Sequence, residues 1–201
     1  LHHVGSNNPD GIEIKQNKDK DGIPKDGIPF HPYFTIKDSV VVVGFLWIFC
    51  AVVFYAPALN GYFLEAPNFI EANPLKTPEH IAPLWYLTPY YSVLRAIPPL
   101  FGSQFPGVLA MFAALGVFFL LPWLDRSPVK SIRYRSPIYK WILGTFVVSF
   151  IILGWLGVQP VTPLYALLAR IFTTLYFAFF ILMPWFSTLG KTKEVPERVT
   201  E

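Results

Sequence analysis

Two groups of side chains have the types and spacing to do chemistry. The first is His2, Ser6, Asn7, Lys37 and Asp38, the last two at the threshold of the first long apolar stretch. A histidine changes charge near neutrality, and one that faces a carboxylate across a cleft can deliver protons to a ligand reduced there. Plainer duties fit the same residues, His2 as a chain-end side chain and Asp38 as a helix cap. The second group lies in "IAPLWYLTPYYSVLRAIPP", Ile81 to Pro99, where Trp85, Tyr86, Tyr90 and Tyr91 are interleaved with Pro83, Pro89, Pro98 and Pro99. Such aromatics either wall a pocket for a flat aromatic ligand or form an amphipathic belt at headgroup depth. A calcium-loop pattern at Asn17, Asp19, Asp21 and Gly22 is a decoy. Its twelfth position is Ile28 instead of a bidentate Glu, and Pro24 interrupts it.

The elements that must position these residues are set by composition. Of 201 residues, 53% are hydrophobic, 17% aromatic and only 14% charged, and the mean hydropathy is positive. That is too apolar for an ordinary soluble domain. A spanning helix needs about 20 mostly apolar residues. Charge-free stretches then predict an all-α membrane protein with four transmembrane helices, at about 39–57, 106–124, 140–157 and 163–187. Pro57 and Asn60-Gly61 end the first span, Pro106 opens the second, and "GWLGVQPVTP" turns the third into the fourth. Three regions flank or join them: a polar segment over 1–38, a long interfacial loop over 58–105 between the first and second spans, and a tail over 188–201.

Positive charge in short loops is retained on the cytoplasmic side. Lysine and arginine number five before the first span, two in the long loop (Lys76, Arg95), five in the next loop, none in the hairpin turn and three in the tail. This alternation predicts both termini on the cytoplasmic side. It also accounts for the net charge of +3 without nucleic acid, for which there is no basic stripe. The lone cysteine, Cys50, lies inside the first span and excludes an internal disulfide. Arg170, alone in the fourth span, calls for a place near the outer surface or a partner in the bundle.

"LHHVGSNNPDG", "IPFHPYFTIKD" and "APLWYLTPYYSVLRAIP", in that order and ahead of three hydrophobic spans, resemble the carboxy-terminal half of cytochrome b, the membrane subunit of quinol:cytochrome c reductase. The resemblance covers essentially the whole chain. It implies an inner quinone-reduction site with His2 and Asp38, and Ser6, Lys37 and Phe30 nearby. It also implies that the long loop forms part of an outer quinol-oxidation site and lies near the docking surface for the iron-sulfur subunit. The family's Pro-Glu-Trp-Tyr motif falls on Pro83, Leu84, Trp85 and Tyr86, with the following tyrosine on Tyr91, and a short helix around Pro89 to Ile97 would lie along the membrane surface.

By the same resemblance, the substrates are ubiquinol and ubiquinone, and electron transfer is coupled to proton translocation. The complete subunit holds two b haems whose axial ligands lie outside this chain, in the amino-terminal half of cytochrome b; no metal-ligand set is expected here. The implied partners are that half, the Rieske iron-sulfur subunit, a cytochrome c-type subunit and lipid, in a dimeric complex of the bacterial inner (plasma) membrane. Leu84 departs from the family, because a leucine cannot accept the proton that the motif's glutamate is proposed to take. The nearest titratable side chains are Glu79 and His80, which read either as proton acceptors or as loop charges. Other readings of the chain are the smaller subunit of a split, b-f-like complex, or a non-catalytic scaffold or transporter module. The b-f subunit usually has three spans and lacks the GSNNP lead, and a transporter favours ionisable groups at mid-membrane, so the undivided bacterial type is the reading adopted.

The charge alternation generates a topological prediction. A reporter fused after Glu201, or inserted at Arg133, is expected to read cytoplasmic and one near Asn73 external. A cytoplasmic reading at Asn73 overturns the four-span topology.

Overall fold

The structure, a computed structural model, describes residues 8–12, 18–22, 24–25, 27, 29–59, 63–64, 69–76 and 81–197. The described residues form helices and no strand beyond two isolated bridges, Lys18 with Pro24 and Leu100 with Ser103. Two compact units make up the chain, Leu1–Glu13 with Ala82–Glu201, and Ile14–Ile81.

The Ile14–Ile81 unit holds α1, Tyr33–Tyr55, which is long and apolar enough to cross a membrane. None of its residues is buried; Trp47 and Phe54 are among the large side chains left exposed. An apolar surface on all sides is what a helix surrounded by lipid or other helices requires. α1 starts about a turn and a half before the apolar stretch, so Lys37 and Asp38 lie inside it. Aromatic side chains hold that lead-in: Phe30 stacks on Phe34 at 6.2 Å, and the Phe30 carbonyl accepts the Phe34 amide at 2.8 Å. Pro32, not Asp38, occupies the N-cap.

The other unit holds three more helical spans and a short helix between the first two spans of the chain. α2 is Thr88–Ala96; α3, Phe105–Gly116, continues through a 3-10 turn, Val117–Leu120, into α4, Leu121–Leu124. α5 is Pro137–Gly157 and α6 is Pro163–Phe186. With α3 to α4 counted as one crossing, the described residues include four helices long and apolar enough to span a membrane, and α2 falls within the long loop, 56–104, between the first two. Pro122 lacks the N–H that would bond the Phe118 carbonyl, which fits the tightening to 3-10 just before it. Ser136 and Thr162 cap α5 and α6 through their hydroxyls, each followed by a proline at the first helical position.

The core lies among α2, α3, α5 and α6 and is dominated by rings. Phe146 stacks on Phe179 at 4.3 Å and meets Phe180 edge-on at 5.4 Å, with Tyr176 against both Phe146 and Phe150. The buried Tyr176 hydroxyl donates to the Ala114 carbonyl at 2.7 Å, so this polar atom is satisfied inside the apolar bundle. α2 lies against α5, α6 and α3, burying Thr88, Pro89, Ser92, Val93 and Ala96. Those positions share one helix face, three to four residues apart. Close approach depends on glycine. A Cβ on Gly157 would collide with the Thr88 backbone, and one on Gly154 would press on Pro89, whereas Gly144 faces open space.

Gly157→Ala is therefore expected to lower the stability of the detergent-solubilised protein by about 1–3 kcal/mol, the usual cost of overpacking. Gly144→Ala should leave the thermal midpoint unchanged or raised. Equal midpoints for the two variants would show that the contact with Thr88 is dispensable.

Candidate functional site

The loop before α2 is a display turn. The Leu87 amide bonds the Leu84 carbonyl at 2.7 Å and the Thr88 hydroxyl bonds the Trp85 carbonyl at 2.7 Å, closing the backbone on itself. With the backbone so engaged, the side chains turn outward: Leu84, Trp85 and Tyr86 are 54%, 63% and 52% exposed, and the two rings meet edge-to-face at 5.6 Å. Pro83 is half-buried. An exposed indole and phenol beside a leucine make an apolar, aromatic surface able to stack a flat ring or receive a partner protein.

α2 fixes where that turn sits. The Ser92 hydroxyl donates to the Leu153 carbonyl, in the body of α5, at 2.5 Å. Arg95 reaches the end of α5, donating to the carbonyls of Gly157 at 3.3 Å and Gln159 at 3.0 Å. Arg170 donates from its Nε to the Ala96 carbonyl at 3.2 Å, which supplies the partner that its place in a span demands. Gln104, just ahead of α3, donates to the Leu94 and Ile97 carbonyls at 3.0 and 3.2 Å. Every one of these contacts ends on a backbone carbonyl, several of them at the C-terminal ends of α2 and α5, where acceptors lack helical partners.

The two tyrosines of α2 part company. Tyr90 turns inward onto Phe150, with ring centroids 5.8 Å apart, and burial pushes its hydroxyl above the ordinary value of 10.0. Tyr91 lies under the Arg95 guanidinium at 5.4 Å. Arg95 thus connects Tyr91 to the end of α5, and neither Arg95 nor Ser92 was singled out by residue type. The spacing Tyr91 to Arg95, four residues on a helix, was the available signal.

Among the other candidates, Lys37 holds its ammonium 4.5 Å over the Tyr33 ring, and Asp38 is exposed on α1. Phe30 is exposed as well. His2, Ser6, Glu79 and His80 lie outside the described residues. Among the described residues no cluster of three or more His, Cys, Asp or Glu is placed to hold a metal ion. No histidine of the chain falls within α1, α3 to α4, α5 or α6, since the four are His2, His3, His31 and His80. Among the described residues, the spanning helices carry no histidine that could serve as an axial haem ligand.

Residues 71–177, which take in the display turn, α2 to α5 and the first part of α6, match the profile of the cytochrome b(C-terminal)/b6/petD family. The chain belongs to that family. It is similar to cytochrome b of Allochromatium vinosum, at 64% identity over all of this chain and 49% of the relative, and to cytochrome b of Rhodospirillum rubrum, at 42% identity over all of this chain and 46% of the relative. A solved chain of a hyperthermophilic respiratory Complex III superposes with a TM-score of 0.78 at 44% identity, covering 92% of this chain and 44% of that one. The chain spans about half the length of the curated relatives it matches. As a cytochrome b family member with four spanning helices, it is a multi-pass membrane protein.

In this cytochrome b family chain, Arg95 carries charge-assisted bonds to partly buried carbonyls, worth about 1–2 kcal/mol after desolvation. Arg95→Leu should lower the thermal midpoint and increase proteolytic cleavage between α2 and α3. Arg95→Lys should recover only part, because one ammonium cannot fork to both carbonyls. Full recovery by lysine would show that charge, not the fork, anchors α2.

Proposed function

We propose that the chain forms part of the cytochrome b subunit of a quinol:cytochrome c reductase, contributing to an outer quinol-oxidation site and an inner quinone-reduction site. The observation that carries the outer site is the pairing of an exposed aromatic turn, Leu84 to Tyr86, with a buried anchor, α2, bonded to α5 and α6 through Ser92, Arg95 and Arg170. Family membership and likeness to a Complex III chain support the reading. Preorganised aromatic faces bind a flat ring at low entropic cost. Trp85, Tyr86 and Tyr91 would stack and enclose the quinol ring, with Pro83 stiffening the approach and Leu84 adding apolar wall.

Leu84 cannot take a proton from quinol. Glu79 and His80, four or five positions earlier, are the acceptors proposed for that step, since a carboxylate or imidazole within reach is what proton transfer requires. At the inner site, His2, Ser6, Lys37 and Asp38 would hydrogen-bond the quinone and supply protons, Lys37 being already oriented by the Tyr33 ring. The two b haems bring the electron-transfer chemistry of the complete subunit. Their axial ligands would come from the amino-terminal half of cytochrome b, in a dimeric complex that also holds a Rieske iron-sulfur subunit and a cytochrome c-type subunit. The setting proposed is a bacterial inner (plasma) membrane, both termini cytoplasmic, with ubiquinol and ubiquinone as substrates. Lipid and the other half of the subunit would cover α1. Proton release at the outer site and uptake at the inner one would couple the redox reaction to proton translocation.

The test is made in the intact complex. Trp85→Ala with Tyr91→Ala should raise the KM for quinol about tenfold, in line with about 0.7 kcal/mol for each of the two aromatic contacts. Glu79→Gln with His80→Ala should slow quinol oxidation strongly, and adding Leu84→Glu should restore much of it. Full activity of the Glu79/His80 double variant from about pH 6 to 9 removes that pair from the proton path, and unchanged quinol KM in the aromatic double variant removes the outer site itself.

A further inference from the structure

A cleft of about 440 Å³ lies where α4 stops, α5 begins and α6 ends. Leu121, Tyr139 and Met183 form its apolar side, and Asp125, Lys130 and Arg135 its polar side. The loop between α4 and α5, which carries the polar side, is fixed at several points. The buried Ser131 hydroxyl donates to the Pro9 carbonyl at 2.5 Å. The Asp10 carboxylate accepts from Arg133 at 2.9 Å and from the Tyr134 hydroxyl at 3.0 Å. The Tyr134 carbonyl accepts the Lys193 amide at 2.8 Å, and the Ser187 hydroxyl accepts the Arg126 amide at 3.1 Å. The wall of the cleft is thereby preformed.

Arg135 is the side chain whose hydrogen bonding is incomplete. It is only 10% exposed. Its Nη2 donates to the Asp125 carboxylate at 2.7 Å, and the guanidinium lies over the Tyr139 ring at 4.4 Å. A ring face attracts the charge but supplies no acceptor lone pair. Nε and Nη1 are buried and have no hydrogen-bond partner among the described residues. Buried donors without acceptors cost free energy, most of all on a charged group. Asp125 does not make up the difference, because its other oxygen, Oδ1, faces the Ser127 amide at 3.1 Å.

An acceptor oxygen held in the cleft would complete these donors. Guanidinium groups match the oxygens of phosphate and carboxylate. The wall beside Arg135 is hydrocarbon, and the cleft sits where three membrane-crossing helices end, at headgroup depth. A molecule that joins a phosphate to hydrocarbon at that depth is a phospholipid. Free phosphate would use the donors and leave the apolar wall to water. We propose that the cleft binds the phosphodiester of an anionic phospholipid, with Arg135 donating through Nε and Nη1 and with Leu121 and Met183 against the glycerol and first acyl carbons. Binding turns the guanidinium edge toward the cleft while Nη2 keeps Asp125, a change on the scale of one rotamer. The anionic class follows from the lining, since a choline cation would face Arg135 and Lys130 whereas a glycerol headgroup brings no cation.

The test uses the intact complex, delipidated in detergent and titrated separately with phosphatidylglycerol, phosphatidylcholine and inorganic phosphate, with bound lipid counted by native mass spectrometry. The wild type should retain about one phosphatidylglycerol per copy of this chain more than Arg135→Lys does, and hold it about tenfold more tightly. Lysine keeps a charge for Asp125 but loses the Nε and Nη1 donors. Asp125→Asn removes the carboxylate charge beside the phosphate and should tighten phosphatidylglycerol about threefold, whereas a purely structural role for the Arg135–Asp125 pair would weaken it. Equal retention of phosphatidylglycerol by wild type and Arg135→Lys overturns the proposal, as does equal retention of the two lipids by the wild type. Protection against heat by inorganic phosphate that depends on Arg135, with none from phosphatidylglycerol, marks a free-phosphate site and overturns the lipid assignment. Where Arg135→Lys fails to assemble, judged by haem content, Asp125→Asn decides alone: unchanged or weaker phosphatidylglycerol binding then overturns the proposal.

Discussion

The seating of α2 on α5 is the contact on which the rest of the bundle's outer surface depends. A nine-residue helix with a proline in its first turn is too short to be stable in isolation. Here it is held because α5 presents no side chain at Gly157, so the Thr88 backbone can lie directly against it, and because Ser92 reaches the Leu153 carbonyl. That carbonyl is already within a helix, yet it has a second lone pair, and in a buried apolar setting the serine hydroxyl gains more from bonding it than from any solvent contact. Once α2 is seated, the turn before it has one position, and its aromatic side chains face outward as a consequence.

Charge is used in the same way at both ends of the bundle. Arg95 and Arg170 put guanidinium groups on carbonyls at helix ends, where the backbone offers uncompensated acceptors and the helix dipole favours a cation. At the other end Arg135 joins Asp125 at 2.7 Å and lies over the Tyr139 ring at 4.4 Å, while the Arg126 amide bonds the Ser187 hydroxyl and fastens the α4–α5 loop to the end of α6. The loops at both ends of the bundle are thereby placed by a rigid frame of aromatic packing, with the charged contacts kept toward the ends of the spans where their desolvation is least costly.

How much could be read in advance varied with the kind of signal. The four spans and the long loop follow from runs such as "SVVVVGFLWIFCAVVFY" and from prolines at their boundaries, whereas the helix inside the loop was legible only through the family resemblance, around Pro89 to Ile97, where the structure has Thr88–Ala96. The beginning of α1 could not be read, because Lys37 and Asp38 break the apolar run although a helix tolerates both. The 3-10 turn at Val117–Leu120 was hidden too: Pro122 marks the end of a span as readily as it marks a local tightening. For the site, Trp85, Tyr86 and Tyr91 stand out by type, whereas Ser92, Arg95, Gly157 and Asp10 matter through partners 61 to 123 residues away.

The sequence by itself determined the solvent, the number of crossings and the family, since these depend on sums along the chain and on short ordered motifs: apolar length against bilayer thickness, and residues such as "APLWYLTPYYSVLRAIP" read in order. Only the tertiary structure decided which side of α2 is buried, which carbonyl Arg170 bonds, and that the loop after α4 holds Asp10. The reason is physical. Burial in a bilayer is scored residue by residue, but a hydrogen bond is scored by the distance between two groups, and nothing local to Asp10 or Tyr134 records that folding brings them to 3.0 Å.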